Sequence, residues 1–271
     1  MTGLRLGAST WTYLQNRDLK TALQLLRRTG YQRFDVLTIP PHLWPSDMDM
    51  SSRTALRHWC IDEDVVIESL NLPSTDQNLC SVTPEMRDFS VTQWAAVLGL
   101  CEALGVPAAV MVPGRRPNFV PAPAAQADGW LRAALDRLLP LAERAGVTIM
   151  LENHHQSPMP TVARMAAFLD GVGSPQLGIA YDVANGAFVG EDQEDAIRTA
   201  GRWLRQVHLS DASRERWDHA PPGRASVDFA AVGRALANTG FAGTSIVELI
   251  SENPDTDMAD ARRFLGTHGW G

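Results

Sequence analysis

Only three cysteines occur in 271 residues, Cys60, Cys80 and Cys101. An odd count with no C-x-x-C spacing argues against a disulfide framework, and buried, reduced thiols of a cytosolic chain are the expectation. No apolar run is long enough to cross a bilayer. The first residues, MTGLRLGASTWTYL, lack the basic region and long apolar core of a secretory signal. Basic charge is also in short supply, with 24 Lys and Arg against 31 Asp and Glu for a net charge of −7. A face that neutralises nucleic-acid phosphates is therefore not expected. No composition break or low-complexity linker divides the chain. These absences predict a cytoplasmic protein of one domain, residues 1–271. Neither membrane nor nucleic acid is an expected partner, and self-association is left open.

What is present is ample core material, 45% hydrophobic against 20% charged residues. Short runs with strand character recur at 4–10, 33–38, 65–72, 108–113, 148–153, 177–183, 204–211 and 244–250. Between them lie segments of helical period. LKTALQLLRRTG and WLRAALDRLLPLAERAG carry apolar residues at three- and four-residue intervals and stop at a glycine. Strict alternation implies a parallel sheet. Eight strands and eight helices in a chain of this length predict an α/β fold, the closed (β/α)8 TIM barrel. The open doubly wound sheet is the alternative. It would tend to place a glycine-rich turn after the first strand, and GASTWTY stands there instead.

In such a barrel the carboxyl ends of the strands converge on one mouth. The fifth strand run reaches Glu152, the sixth Asp182, the seventh His208 and the eighth Glu248, at intervals of 30, 26 and 40 residues. Taken singly, each has an ordinary explanation as a helix cap, an ion-pair partner or a packed imidazole. Four in register around one volume do not. Three carboxylates that close repel one another and take up protons unless a divalent cation neutralises them. One imidazole with three carboxylates suits Mn²⁺ first, with Mg²⁺, Co²⁺ or Zn²⁺ as alternatives. One metal ion per chain, held by Glu152, Asp182, His208 and Glu248, is the expectation.

The series LEN, YDxxN, HLxDxxR and VEL resembles the xylose-isomerase-like TIM barrels, the sugar isomerase and epimerase superfamily. The resemblance covers nearly the whole chain. It implies the same four metal ligands, and it implies that Arg214, six residues after His208 as in the ketose 3-epimerase branch, contacts substrate. The segment DHAPPGRASVDF is similar to that family's PGxGxxDF loop, with Arg224 and Ala225 standing where the second glycine is usual. Three residues after Asp182 the family often has His, whereas Asn185 stands here. An amide can donate to a substrate hydroxyl but does not titrate near neutrality.

The implied reaction is proton abstraction from a ketose or keto-sugar through a metal-stabilised enediolate, with Glu152 and Glu248 as the acid–base pair. Epimerisation and aldose–ketose isomerisation both follow from it. Lyase or dehydratase chemistry on a keto-cyclitol or keto-glycoside shares the first step and is the alternative. A third reading, endonuclease-IV-like phosphodiester cleavage, needs further imidazoles for three zinc ions. LNLP, VPGR and Asn185 occupy those places. A non-catalytic sugar- or metal-binding barrel would scarcely need two carboxylates beside a Lewis acid. Further candidates at the mouth are Trp11 as an apolar wall for the sugar, His154 and His155 as orienters of Glu152, Arg115 and Arg116 for an anionic substituent, and His219.

Overall fold

A computed structural model of the chain describes residues 3–116 and 121–271. Eight strands form a closed parallel barrel in chain order, β1 pairing with β8. They are β1 (Leu6–Ser9), β2 (Arg33–Leu37), β3 (Val66–Leu72), β4 (Ala108–Met111), β5 (Thr148–Glu152), β6 (Leu177–Asp182), β7 (Leu204–Leu209) and β8 (Thr244–Val247). The connecting α-helices are α1 (Leu19–Arg28), α2 (Met50–Asp62), α3 (Pro84–Leu104), α4 (Ala124–Ala145), α5 (Val162–Val172), α6 (Val183–Val189), α7 (Gln193–Ala200), α8 (Phe229–Asn238) and α9 (Pro254–Gly266).

Every expected strand run contains a strand, and all but β3 end a little earlier than the apolar run suggests. β8 stops at Val247, so Glu248 begins the loop beyond it and is tied back by its N–H to the Leu209 carbonyl at 3.1 Å. The expected count of eight helices is exceeded by one among the described residues. The extra helix is α6, which starts directly at the end of β6. Asp182 is its N-cap, accepting from the Asn185 N–H at 2.6 Å. Gly190 then ends it after two turns in the left-handed conformation. A seven-residue apolar segment between two strands offers too few turns for its period to be read as a separate helix.

The helices form where the pattern predicts. In α1 the buried residues Leu19, Ala22, Leu23 and Leu26 make one stripe, and the Asp18 side chain caps the first turn at 3.0 Å from the Thr21 N–H. α4 ends at Gly146, whose φ of +66° a side chain would oppose. Strand residues alternate between two environments. Ala109, Met111, Ile149, Leu151, Ile179 and Tyr181 join the main core against the helices, while Ala108, Val110, Met150 and Ala180 form a separate small cluster. The members of the second set share parity with Glu152 and Asp182. That face of the strands is the barrel interior, and towards β1, β2, β3 and β7 it turns polar.

The long β7–α8 connection is organised by one buried carboxylate. Asp211 accepts from the N–H groups of Gly223, Ala225 and Val227 at 2.9, 2.8 and 3.0 Å. Ala225 makes its bond from the backbone, so the glycine expected from the PGxGxxDF pattern is not required. Removing Asp211 leaves three backbone donors without their charged acceptor. Asp211→Ala should therefore lower stability by roughly 3 kcal/mol, with Asp211→Asn intermediate, in urea denaturation followed by circular dichroism. A loss below the error of the measurement in both variants would show that the loop holds itself.

Candidate functional site

Glu152 ends β5, Asp182 ends β6, His208 is the penultimate residue of β7 and Glu248 follows β8. The structure brings all four together, buried, each offering one ligand atom, with those atoms within 4.8 Å of one another. Asp182 and His208 are direct partners across the β6–β7 pair. His208 Nδ1 lies 2.9 Å from Glu152 Oε1 and 3.0 Å from Glu248 Oε2, so the imidazole bridges the two glutamates. Asn153 locks the strand ends together: its Nδ2 donates to the Asp182 carbonyl at 2.9 Å and its Oδ1 accepts from the Asp182 N–H at 2.8 Å.

This arrangement holds more negative charge than it can balance. Burial pushes the Glu152 carboxyl up to about 8 against the pull of the adjacent His208 imidazole. Burial also raises Asp182. For Glu248, burial works upward, but the His208 imidazole and its hydrogen bond hold the carboxyl below its ordinary range. Burial opposes the imidazolium of His208, yet Glu248 and Glu152 together lift it well above the usual histidine value. Two buried oxygens, Asp182 Oδ2 and Glu248 Oε1, have no hydrogen-bond partner. Unpartnered buried oxygens facing one volume, beside an imidazole and a third carboxylate, fit a hard divalent cation. Asp182 serves both readings of a strand-end aspartate, since Oδ1 caps α6 while Oδ2 is left free.

A cavity open at the mouth lies over the cluster and includes Glu152 and Glu248 in its wall. Trp11, His154, Asn185, His219 and Arg115 also line it. Arg115 is reached through Gly114, whose φ of +117° and close approach to Asn78 leave no room for a side chain. Arg116 is outside the wall. Its N–H donates to the Gln156 carbonyl at 2.8 Å. His155 is half-buried and stacks on His154 with ring centroids 4.6 Å apart. Burial drives the His154 imidazole down to about 3, so it stays neutral. Its Nδ1 accepts the Gln156 N–H at 3.1 Å.

Arg214 is not brought to the cavity. It is exposed, and its guanidinium lies over Gly190 at the end of α6, where a side-chain carbon would collide with it. A six-residue spacing fixes distance along a loop and not direction. The wall is completed instead by Trp217, which the sequence reading did not single out. Its Nε1 donates to Asn185 Oδ1 at 2.6 Å, leaving the Asn185 NH₂ group as the donor. Trp217 also meets the His219 ring at 5.1 Å and His155 at 4.6 Å. A tryptophan in RERWDHAPPG, a segment otherwise charged and proline-rich, was the available signal. His219 is buried at a φ of +44°, uncommon outside glycine, with Nδ1 3.0 Å from Ser210 Oγ and 3.8 Å from Asp182 Oδ2. Its Nε2 has no partner.

Residues 23–268 match the family of the xylose isomerase-like TIM barrel, and the chain belongs to it. Among its relatives is D-psicose 3-epimerase of Ruminiclostridium cellulolyticum, 22% identical over 247 residues, which span 88% of this chain and 80% of the relative. The structure of an L-ribulose 3-epimerase superposes with a TM-score of 0.84 at 22% identity, covering 99% of this chain and 94% of that one. That of 3-keto-D-glucoside 4-epimerase from E. coli gives 0.82 at 15% identity, covering 97% and 99%.

The charge balance sets a pH dependence. Without a cation, the folded chain keeps on Glu152 a proton that the unfolded chain releases near 4.5, so the stability this group supplies is lost as pH rises towards about 8. Asp182 and His208, both raised, act in the same direction. A bound cation displaces those protons. Millimolar Mn²⁺ should therefore raise the thermal midpoint more at pH 8 than at pH 6, and hardly at all in Asp182→Asn or His208→Ala. Equal increments at both pH values, or full increments in both variants, would remove these residues from the site.

Proposed function

We propose that this protein is a divalent-metal-dependent sugar epimerase acting on a ketose or keto-sugar, with Glu152 and Glu248 as the proton-transferring pair. One observation carries the reading: two buried carboxylates share a cavity wall and flank a single imidazole, on strands separated by two neighbours. A divalent ion held by Glu152, Asp182, His208 and Glu248 supplies Lewis-acid polarisation of a carbonyl and a fixed point for adjacent oxygens. Mn²⁺ is the first choice of ion on the donor set.

The chain's own groups do the rest. A substrate seated over the cluster lies between the two glutamates. The one that is ionised takes the C–H proton α to the carbonyl, and the other, carrying a proton, returns one to the opposite face. Burial, which raises Glu152 to about 8, keeps this group poised to hold a proton near neutral pH. The NH₂ group of Asn185 and the free Nε2 of His219 contact substrate hydroxyls, and Trp11 and Trp217 give the apolar wall for the sugar's C–H face. Arg115 supplies the cation of the wall, for an electron-rich hydroxyl or an anionic substituent. The epimerases among the relatives support the reaction class.

The experiment is a screen of ketoses and 3-keto-glycosides by NMR in D₂O with Mn²⁺ restored, followed by the Glu152→Gln and Glu248→Gln variants on the best substrate. Each variant should lose turnover by at least about 10²-fold. The variant that keeps the forward base should still exchange the α-proton with solvent without inverting the carbon, and the other should do neither. Near-normal turnover in both variants, with metal retained, overturns the two-carboxylate mechanism. Loss of water from the substrate in place of inversion would assign lyase chemistry.

A further inference from the structure

Below the four-residue cluster the barrel interior holds a buried carboxylate that the proposed reaction does not use. Asp35 on β2 is fully buried and has no cationic partner within ion-pair distance among the described residues. It accepts from Ser69 Oγ on β3, from Asn71 Nδ2 at 3.1 Å and from Ser9 Oγ at 3.4 Å. Ser69 Oγ also lies 3.1 Å from Gln206 Oε1 on β7, whose Nε2 is 2.9 Å from His208 Nε2. One continuous chain of hydrogen bonds thus runs from Asp35 through Ser69 and Gln206 to the far nitrogen of the imidazole whose Nδ1 faces Glu152 and Glu248. Burying an unpaired carboxylate is costly, so what it fixes matters.

We infer that Asp35, Ser69 and Gln206 are positioning residues that set which nitrogen of His208 carries its proton, and so present Nδ1 to the cation. The inference rests on the cation site read above. It follows from counting protons. Asp35 as a carboxylate only accepts, so it takes the single Ser69 hydroxyl proton. Ser69 can then only accept from Gln206, which turns the amide NH₂ towards Ser69 and its oxygen towards His208. An oxygen at that place requires an N–H at Nε2. Nδ1 is left with a bare lone pair between two carboxyl groups, an arrangement that a cation satisfies once both are ionised.

The amide stands in the opposite orientation in the structure, with nitrogen at His208 Nε2, which in a neutral imidazole places the proton on Nδ1, where it is given to Glu152 and Glu248. Gln206 and Asp35 then compete for one Ser69 proton. A half-turn of the amide exchanges two ends of nearly equal size, so it moves no neighbouring atom. A cation at Nδ1 selects the first orientation. A hydrogen-bond partner that fixes the tautomer of a ligating histidine typically contributes about 10- to 100-fold to metal affinity.

The test uses the full chain at pH 8 with Zn²⁺, a diamagnetic probe. Long-range ¹H–¹⁵N spectra of wild type should show His208 metallated at Nδ1 and protonated at Nε2. Gln206→Met, which removes the acceptor, should weaken Zn²⁺ binding about 10- to 100-fold in chelator competition. Gln206→Glu, which keeps an oxygen towards Nε2, should bind close to wild type. A merely structural glutamine would change the melting temperature of both variants and the Zn²⁺ affinity of neither. Wild-type affinity in Gln206→Met, equal losses in both variants, or metallation at Nε2 overturns the relay alone. Failure of wild type to take up Zn²⁺ at His208 overturns the cation site with it. Should Gln206→Met not fold, the wild-type spectrum decides.

Discussion

Three buried carboxylates face one imidazole at the mouth of this barrel, and that imbalance of charge shapes the surrounding structure. Glu152, Asp182 and Glu248, buried together, cannot all ionise without a positive partner. The local devices around them are means of holding that arrangement in place. Asn153 clamps β5 to β6, α6 is capped by Asp182 itself, and Glu248 is tied to β7 through its backbone. Each occupies backbone groups or a single side-chain oxygen of a ligand residue while leaving a carboxylate oxygen for the shared volume.

Most of this order was legible in the residues. The eight strands announce themselves because apolar runs of six to eight residues recur between helical periods, and the ends of the last four carry one ligand-type residue each. Register then does the geometry: consecutive parallel strands in a closed barrel place their carboxyl ends on one circle. What sequence spacing could not supply was direction. Arg214 keeps the spacing expected of a substrate contact, yet its guanidinium lies over Gly190. Trp217, three residues further on, enters the cavity wall instead. The helix α6 escaped notice because two turns of mostly apolar residues have no polar face to reveal a period.

The interior polar residues were visible but unread. RFDVL places one aspartate inside an apolar strand, ESLNL alternates serine and asparagine, and RQVHL sets a glutamine two residues before the histidine. Residues two apart on a strand share a face, so Gln206 accompanies His208 into the barrel, and Ser69 accompanies Asn71. A period-two polar pattern in strands that are buried on both faces is the mark of an interior network. It was hidden here because each strand contributes only one or two members, and their meeting point exists only once the barrel closes. The likeness to epimerase structures at 15–22% identity speaks to the fold; what the chain does is argued from Glu152, Glu248 and the cavity above them.

The central claim is that the four strand-end side chains hold one divalent cation. Anomalous diffraction from crystals grown with Mn²⁺ at pH 8 tests it most directly. A single strong peak at coordination distance from Glu152, Asp182, His208 Nδ1 and Glu248, with the hydrogen bonds from His208 to the two glutamates replaced by bonds to the ion, is the result expected. No peak at that position, with the imidazole still bridging the two glutamates, would contradict it.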